Sequence, residues 1–214
     1  MSLQEKRQEY KCGDSYVTLA DIPPWSKSAR TREGQDISPT SAINEKISIF
    51  QGDITKLEID AIVNAANARL AGGGGVDGFI HRGAGAVDLQ AECQSLGGCE
   101  TGQCKMTGGY RLPAKYIIHC VGPIGEKPEL LASCYKNALD TLKAAKLRTI
   151  AFPCISTGVY GYPNDNAADV VLKTVKTWLE DSANQAAVDR IIFALFLDRD
   201  LEAYKERLPR YFPQ

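Results

Sequence analysis

Asn67 and Asp77 stand on either side of four consecutive glycines, 72–75. An asparagine amide can both donate to and accept from a sugar hydroxyl. A carboxylate beside the same sugar can hold or deprotonate a water. Gly73, Gly74 and Gly75, followed by Val76, offer successive backbone amides that can form an anion-binding nest where a helix begins. Four glycines in a row cost conformational entropy, which makes sense where the backbone must come very close to a ligand. Each polar residue also has a plain structural reading, Asn67 as a turn former and Asp77 as a helix cap. Together, around a glycine cradle, they point to a site.

Two other segments carry chemistry. In Gly52-Asp53-Ile54-Thr55 the aspartate can accept from an exocyclic amine or hydroxyl, or cap the next turn, and on the tetrapeptide alone capping is favoured. In 153–163, Ser156, Thr157 and Gly158 offer small side chains and free amides for a second phosphate clamp. Val159 continues that loop and Tyr160 adds an aromatic face. Phe196 could offer another face to a base, although by residue type it belongs in a core. Stacking of that kind is worth ~1–3 kcal/mol.

Several motifs carry less. Gly73, Gly75 and Gly78 satisfy a dinucleotide GxGxxG template, but a four-glycine run satisfies many, and Asp77 would set a carboxylate at the mouth of the cradle. No Gly-Lys-Ser/Thr follows, so a P-loop is excluded. His119 sits in an apolar strand pattern and reads as an interior histidine. His81 falls one helical turn after Asp77 and could tune it, though packing explains it as easily. Cys154 has no histidine nearby in sequence to activate it, so a cysteine nucleophile is unsupported.

The elements that must position these groups alternate. Residues 47–51, 59–63, 116–121, 149–152 and 190–197 read as strands, rich in β-branched residues. Residues 75–83, 87–96, 128–146, 163–181 and 201–207 read as helices. Such alternation implies a mainly parallel sheet covered on both faces, with ligands beyond the carboxyl ends of its strands. Residues 1–42 form an extension: a short helix over 3–11, a turn-rich stretch before Trp25, and a polar connector over 26–41. Trp25 is expected to anchor this arm on the main domain, 43–214.

Composition sets outer bounds. The 214 residues fit one domain, and 44% hydrophobic residues suffice for a sizeable core. A net charge of -1 from 25 basic and 26 acidic residues argues against a broad basic surface for non-specific nucleic-acid binding. No signal peptide or membrane-spanning run is recognisable. Seven cysteines without a CxxC pair read as reduced, partly buried thiols. That places the chain inside the cell, with cytoplasm, nucleus and mitochondrion all open. With two histidines, a structural zinc site lacks evident ligands, and Cys99 with Cys104 makes at most half of one.

The combination of Gly52-Asp-Ile-Thr, Val63-Asn-Ala-Ala-Asn, Gly72-Gly-Gly-Gly-Val-Asp-Gly and Ile155-Ser-Thr-Gly-Val-Tyr-Gly-Tyr-Pro resembles the macrodomain family across nearly all of 43–214. The four-glycine form resembles its MacroD branch, as do Tyr16-Val-Thr-Leu-Ala-Asp-Ile-Pro and Arg207-Leu-Pro-Arg-Tyr-Phe-Pro. Ala71, Gly83 and Cys120 depart from the leucine, alanine and threonine expected there, and read as packing changes. The resemblance implies an α/β fold: a three-layer α/β/α sandwich with a mixed, mainly parallel central sheet. It implies a hydrolase that binds ADP-ribose, removes mono-ADP-ribose from glutamate and aspartate side chains, and deacetylates O-acetyl-ADP-ribose.

Carried onto this chain, Asp53 would bind the adenine amine with Ile54 lining the pocket, and Phe196 would stack on the base. Amides of 73–76 and 156–160 would wrap the diphosphate. Asn67 would position the distal ribose, and Asp77 would lie beside the attacking water, as its base or its orienting group. Partners would be mono-ADP-ribosylated proteins, O-acetyl-ADP-ribose and ADP-ribosylated nucleic-acid ends, with no membrane, no cofactor and no metal. The competing readings are a binding module of the same fold without hydrolysis and, more distantly, an NAD-dependent oxidoreductase.

Overall fold

The computed structural model describes residues 2–28 and 41–214. The connector expected over 26–41 lies largely outside the described residues. The chain begins with α1 (Leu3–Glu9), β1 (Val17–Thr18), α2 (Trp25–Ser28) and α3 (Ser41–Asn44), then runs through β2 (Ile47–Gln51), β3 (Leu57–Glu58) and β4 (Ala61–Ala66). Helices α4 (Gly75–Ala84) and α5 (Ala86–Ser95) lead to β5 (Cys104–Gly108) and β6 (Tyr116–Val121). The remainder alternates: α6 (Pro128–Ala144), β7 (Thr149–Phe152), α7 (Asn164–Glu180), α8 (Ser182–Ala187), β8 (Arg190–Leu195) and α9 (Asp198–Tyr211).

Among the described residues six strands form one sheet in the order β2-β8-β7-β4-β6-β5, with only the β5–β6 pair antiparallel. The five parallel strands all end at the same edge. Side chains alternate across this sheet with period two. Val63, Ile118, Cys120, Phe152 and Phe193 join one core with α6, α7 and α9. Ile62, Ala66, Ile117, Val121 and Ile192 join a second core with α4 and α5. The chain is thus the expected three-layer α/β/α sandwich, with a mixed, mostly parallel sheet. Among the described residues no helix is long and apolar enough to cross a membrane.

The differences from expectation have local causes. The strand expected over 59–63 starts at Ala61 and continues to Ala66. Asp60 interrupts it, because its carboxylate accepts from the Arg148 and Thr149 amides at 2.9 and 3.1 Å and from Lys115 at 2.7 Å. Strand β8 stops at Leu195, so Phe196 lies in the loop beyond. Strand β5 has no apolar run to announce it; an edge strand satisfies its backbone by pairing with β6 alone. Helix α9 is longer than 201–207, extending through Pro209 to Tyr211.

One expectation is overturned. Cys104 and Cys120 face each other in the β5–β6 register, Cα atoms 4.3 Å apart, and form a disulfide. The reading of seven reduced thiols therefore fails for these two; Cys12, Cys93, Cys99, Cys134 and Cys154 are free. Cys120 is accordingly more than a packing change, and Cys104 is withdrawn from any half-site with Cys99. Antiparallel pairing across a long sequence gap is what cysteine spacing alone does not reveal.

The amino-terminal arm is laced to the body. Strand β1 pairs in parallel with β3, and Arg7 grips Glu58 with two hydrogen bonds of 2.8 and 2.7 Å. Trp25 is buried as expected, its indole N–H donating to the Phe212 carbonyl at 3.0 Å.

Candidate functional site

Every loop singled out from the sequence leaves the carboxyl edge of a parallel strand. Residues 52–55 follow β2, Asn67 and the glycines follow β4, 153–163 follow β7, and Phe196 follows β8. Gly122, at the end of β6, joins them.

Gly74 precedes the first turn of α4, whose opening amides have no earlier carbonyl within the helix to accept them. Gly75 holds φ +59°, a conformation that suits glycine, and a Cβ there would meet no atom within 4 Å. Gly78 has the opposite constraint, because a Cβ would strike the carbonyl oxygen of Gly73. Helix and cradle therefore touch backbone to backbone.

Asp77, third in α4, points back under the cradle and is 5% exposed. Its Oδ2 accepts from the Gly73 amide at 2.6 Å, and its Oδ1 accepts from Asn64 Nδ2 at 2.7 Å. His81 follows one turn later, Nε2 3.4 Å from Oδ1, without an aligned hydrogen bond. Burial pushes the Asp77 carboxyl up, but His81, Asn64 and the Gly73 amide together hold it below the ordinary carboxylate range. Asp77 is therefore an ionised, pinned carboxylate.

Asn67 is committed to its own turn. Its Oδ1 accepts from the Arg69 and Ala71 amides, both at 3.2 Å, while Nδ2 donates to the Ala71 carbonyl at 2.6 Å. It still meets Asp77 at one point: a Cβ on Gly73 would lie 3.2 Å from Asp77 Oδ2 and 3.8 Å from Asn67 Nδ2. The bare face of Gly73 thus adjoins both side chains.

The second loop crosses the same edge. Ser156 adopts φ +67°, unusual for a residue with a side chain, and its buried Oγ has no hydrogen-bond partner among the described residues. A Cβ on Gly122 would collide with that oxygen, so the end of β6 sits flush under the loop. The Thr157 hydroxyl donates to the Cys154 carbonyl at 3.0 Å, and the Gly125 amide donates to the Tyr160 carbonyl at 2.7 Å. Amides of Thr157, Gly158, Val159 and Tyr160 have no backbone acceptor among the described residues. Val159 is fully exposed and Tyr160 half-buried. Burial and Asp200 push the Cys154 thiol well up, which makes it a poor nucleophile.

Strand pairing brings Asp53 and Phe196 together. Gln51 is in register with Leu195, and the Gly52 amide donates to the Leu195 carbonyl at 3.3 Å. Asp53 caps the next turn, Oδ1 accepting from the Thr55 amide at 2.9 Å and hydroxyl at 2.6 Å. Ile54 is buried, whereas Phe196 is 67% exposed instead of joining the core its type suggests. Beside Asp53 an open cleft of about 220 Å³ is lined by Lys56, Phe79, Arg82 and Arg111 among others, a feature not singled out from the sequence.

Sequence reasoning also missed what lies beneath Asp77. Asn64, a polar residue inside an apolar run, is fully buried and in register with His119. His81, Cys93 and His119 place donor atoms within 4.8 Å of one another. Chelation there would have to displace existing bonds. His119 Nδ1 meets Asn64 Nδ2 at 3.1 Å, its Nε2 meets Thr107 Oγ1 at 2.8 Å, and burial pushes the Cys93 thiol up to about 11. The cluster is a hydrogen-bonded network.

The chain has relatives among known proteins. A family model described as Macro domain matches residues 63–171. The chain is 51% identical over 223 aligned positions to rat "ADP-ribose glycohydrolase MACROD1", covering all of this chain and 85% of that protein. It is 50% identical over 226 positions to mouse "ADP-ribose glycohydrolase MACROD2", covering all of this chain but 46% of that longer protein. Among solved structures, the Trypanosoma brucei macrodomain in complex with ADP-ribose superposes with a TM-score of 0.81 at 37% identity, over 97% of this chain and 87% of the other. The Oceanobacillus iheyensis macrodomain with ADP gives 0.72 at 43% identity, over 78% of this chain and 93% of the other.

Proposed function

Because the chain belongs to the macrodomain family, in its MacroD branch, we propose that it is a hydrolase that frees ADP-ribose from modified carboxylates. Its substrates in this reading are mono-ADP-ribosylated glutamate and aspartate side chains and O-acetyl-ADP-ribose, with ADP-ribosylated nucleic-acid ends as further candidates. The reaction adds water across the ester. Protein acceptors leave as carboxylates, O-acetyl-ADP-ribose leaves acetate, and ADP-ribose is the common product. No metal or cofactor enters this scheme, and we place the activity inside the cell.

The observation that carries this reading is the pinned carboxylate of Asp77 under a backbone cradle that has amides to spare. Amides of 74–76 and 156–160 grip the diphosphate, the Gly73 amide of the expected set being given to Asp77 instead, while Asp53 and Ile54 receive the adenine and Phe196 stacks on it. Asn67, rigid in its turn, positions the distal ribose against the bare face of Gly73. An ordered water sits between Asp77 and a substrate phosphate. Asp77, ionised because its carboxyl is held low, fixes that water, and either this carboxylate or the substrate phosphate takes the proton as the water attacks the ester.

The discriminating experiment incubates the protein with a glutamate-linked mono-ADP-ribosylated acceptor and, separately, with O-acetyl-ADP-ribose. Release of ADP-ribose from both supports the hydrolase. Label that persists despite tight ADP-ribose binding identifies a binding module instead. No calorimetric uptake of ADP-ribose removes both readings.

A further inference from the structure

We propose that His119 is a positioning residue for Asp77, acting through the side-chain amide of Asn64. The inference rests on the hydrolase reading only for its kinetic consequence; the network stands on geometry.

Asn64 Nδ2 lies 2.7 Å from Asp77 Oδ1 and 3.1 Å from His119 Nδ1. A carboxylate only accepts, so one amide hydrogen goes to Asp77. The other goes to His119, whose Nδ1 must then offer its lone pair. The neutral ring consequently carries its proton on Nε2, where Thr107 Oγ1 stands 2.8 Å away to accept it. The Thr107 hydroxyl passes its own hydrogen to the Gly108 carbonyl at 3.2 Å. Each proton in the chain from Gly108 to Asp77 has one place to be.

The amide needs this support. Asn64 Oδ1 is buried without a hydrogen-bond partner among the described residues, so no contact there on the oxygen side fixes which way the group faces. A flipped amide would turn that oxygen on the Asp77 carboxylate, acceptor against acceptor. The lone pair of His119 Nδ1 is the second contact that forbids the flip. With Asn64 fixed, Asp77 Oδ1 is anchored to the sheet and Oδ2 stays under Gly73. Other titratable groups facing the ring are His81, its centroid 6.2 Å away, and Cys93, its sulfur 3.8 Å from Nε2. His119 itself is fully buried and touches no cradle residue through a hydrogen bond, so its effect on the site runs through Asn64.

The test compares His119→Leu with His119→Gln, because glutamine can offer an oxygen to Asn64 and an N–H to Thr107. Three quantities are read in each variant: the ADP-ribose Kd, kcat on a modified acceptor, and the titration of the Asp77 carboxyl carbon by NMR. His119→Leu should lower kcat by about tenfold, leave Kd within about twofold and raise the Asp77 midpoint, and His119→Gln should restore much of both. Thr107→Val keeps the ring and removes its proton acceptor, so it should move the same quantities in the same direction even if His119→Leu does not fold. Unchanged Asp77 titration in His119→Leu or, should that variant not fold, in Thr107→Val would overturn the proposal. So would a glutamine variant no better than leucine. Since the titration needs no turnover, a wild-type protein without hydrolysis would overturn the hydrolase reading and leave this one to be decided by NMR.

Discussion

Asn64 Nδ2 stands 2.7 Å from Asp77 Oδ1, so a strand side chain holds a helix side chain beneath the glycine cradle. The carboxylate owes its position to the sheet below it and to the Gly73 amide above it. Replacing the carboxylate should therefore affect chemistry more than binding. Asp77→Ala is expected to lower turnover about 10²–10⁴-fold while ADP-ribose binding largely survives. Steady-state hydrolysis alongside calorimetry checks this, and turnover within about twofold of wild type would remove Asp77 from the mechanism.

Gly75 tests the cradle. Its left-handed φ makes any side chain costly by ~1–2 kcal/mol, but the space around it is open. Gly75→Glu should abolish ADP-ribose binding by pressing an anion against the diphosphate. Gly75→Asn, which tolerates that backbone conformation, separates strain from charge. If the glutamate variant binds ADP-ribose as wild type does, the amides of 74–76 do not hold the diphosphate.

Phe196 is exposed, so trimming it should spare the fold. Phe196→Ala is expected to weaken ADP-ribose binding by ~1–3 kcal/mol, the worth of one stacked base, with an unchanged melting temperature. Equal affinity in the variant would take the residue out of the adenine site.

Acid should loosen the protein through His119. Burial, then the neighbouring His81, push its pKa down to about 4, against about 6.5 in an unfolded chain. Between those values the unfolded state binds the extra proton, so stability rises with pH across that window and falls as pH drops through it. The full effect amounts to roughly 3 kcal/mol. Asp77 acts in the same direction at lower pH: its depressed carboxyl contributes stability above the unfolded pKa, lost as pH falls through the folded one. Urea unfolding across this range measures the slope, and His119→Gln should flatten the part above about pH 4. A slope as steep in that variant would assign the acid sensitivity elsewhere.

The disulfide can be counted. Maleimide labelling of the unfolded, unreduced protein should modify five cysteines, and seven only after reduction. Closing a separation of 16 residues, the bond should add about 3 kcal/mol, lost in Cys104→Ser and in wild type under reductant. Seven labelled cysteines without reductant would restore the reduced reading.

Much of this architecture was legible because it rests on period and punctuation. Residues 116–121 and 149–152 are strands at the expected bounds, since continuous apolar runs between turn signals leave little choice. The glycine run was visible as a residue type out of place for pure packing, with Asp77 beside it, whereas Phe196 read as core by type and joined the site only through the family resemblance. Asn64 was hidden because one polar residue in an apolar run matters only when His119, far along the chain, arrives beside it. Strand β5 and its disulfide were hidden for the same reason. Asp53 and Asn67 show the limit from the other side, for both fill their ordinary capping and turn roles while also standing at the carboxyl edge of the sheet.

Strand order divides the cleft by age. Strand β4 and helix α4 follow each other closely in the chain, and β6 joins them soon after, so the Asp77 floor can assemble once residues up to 121 are made. Strand β2 waits for β8, its sheet neighbour among the described residues, which comes far later in the chain. Contacts so distant in sequence form late. On the ribosome, the Asp53 and Phe196 end of the site, where we place the adenine, is therefore expected to close after the Asn64–Asp77 contact has formed.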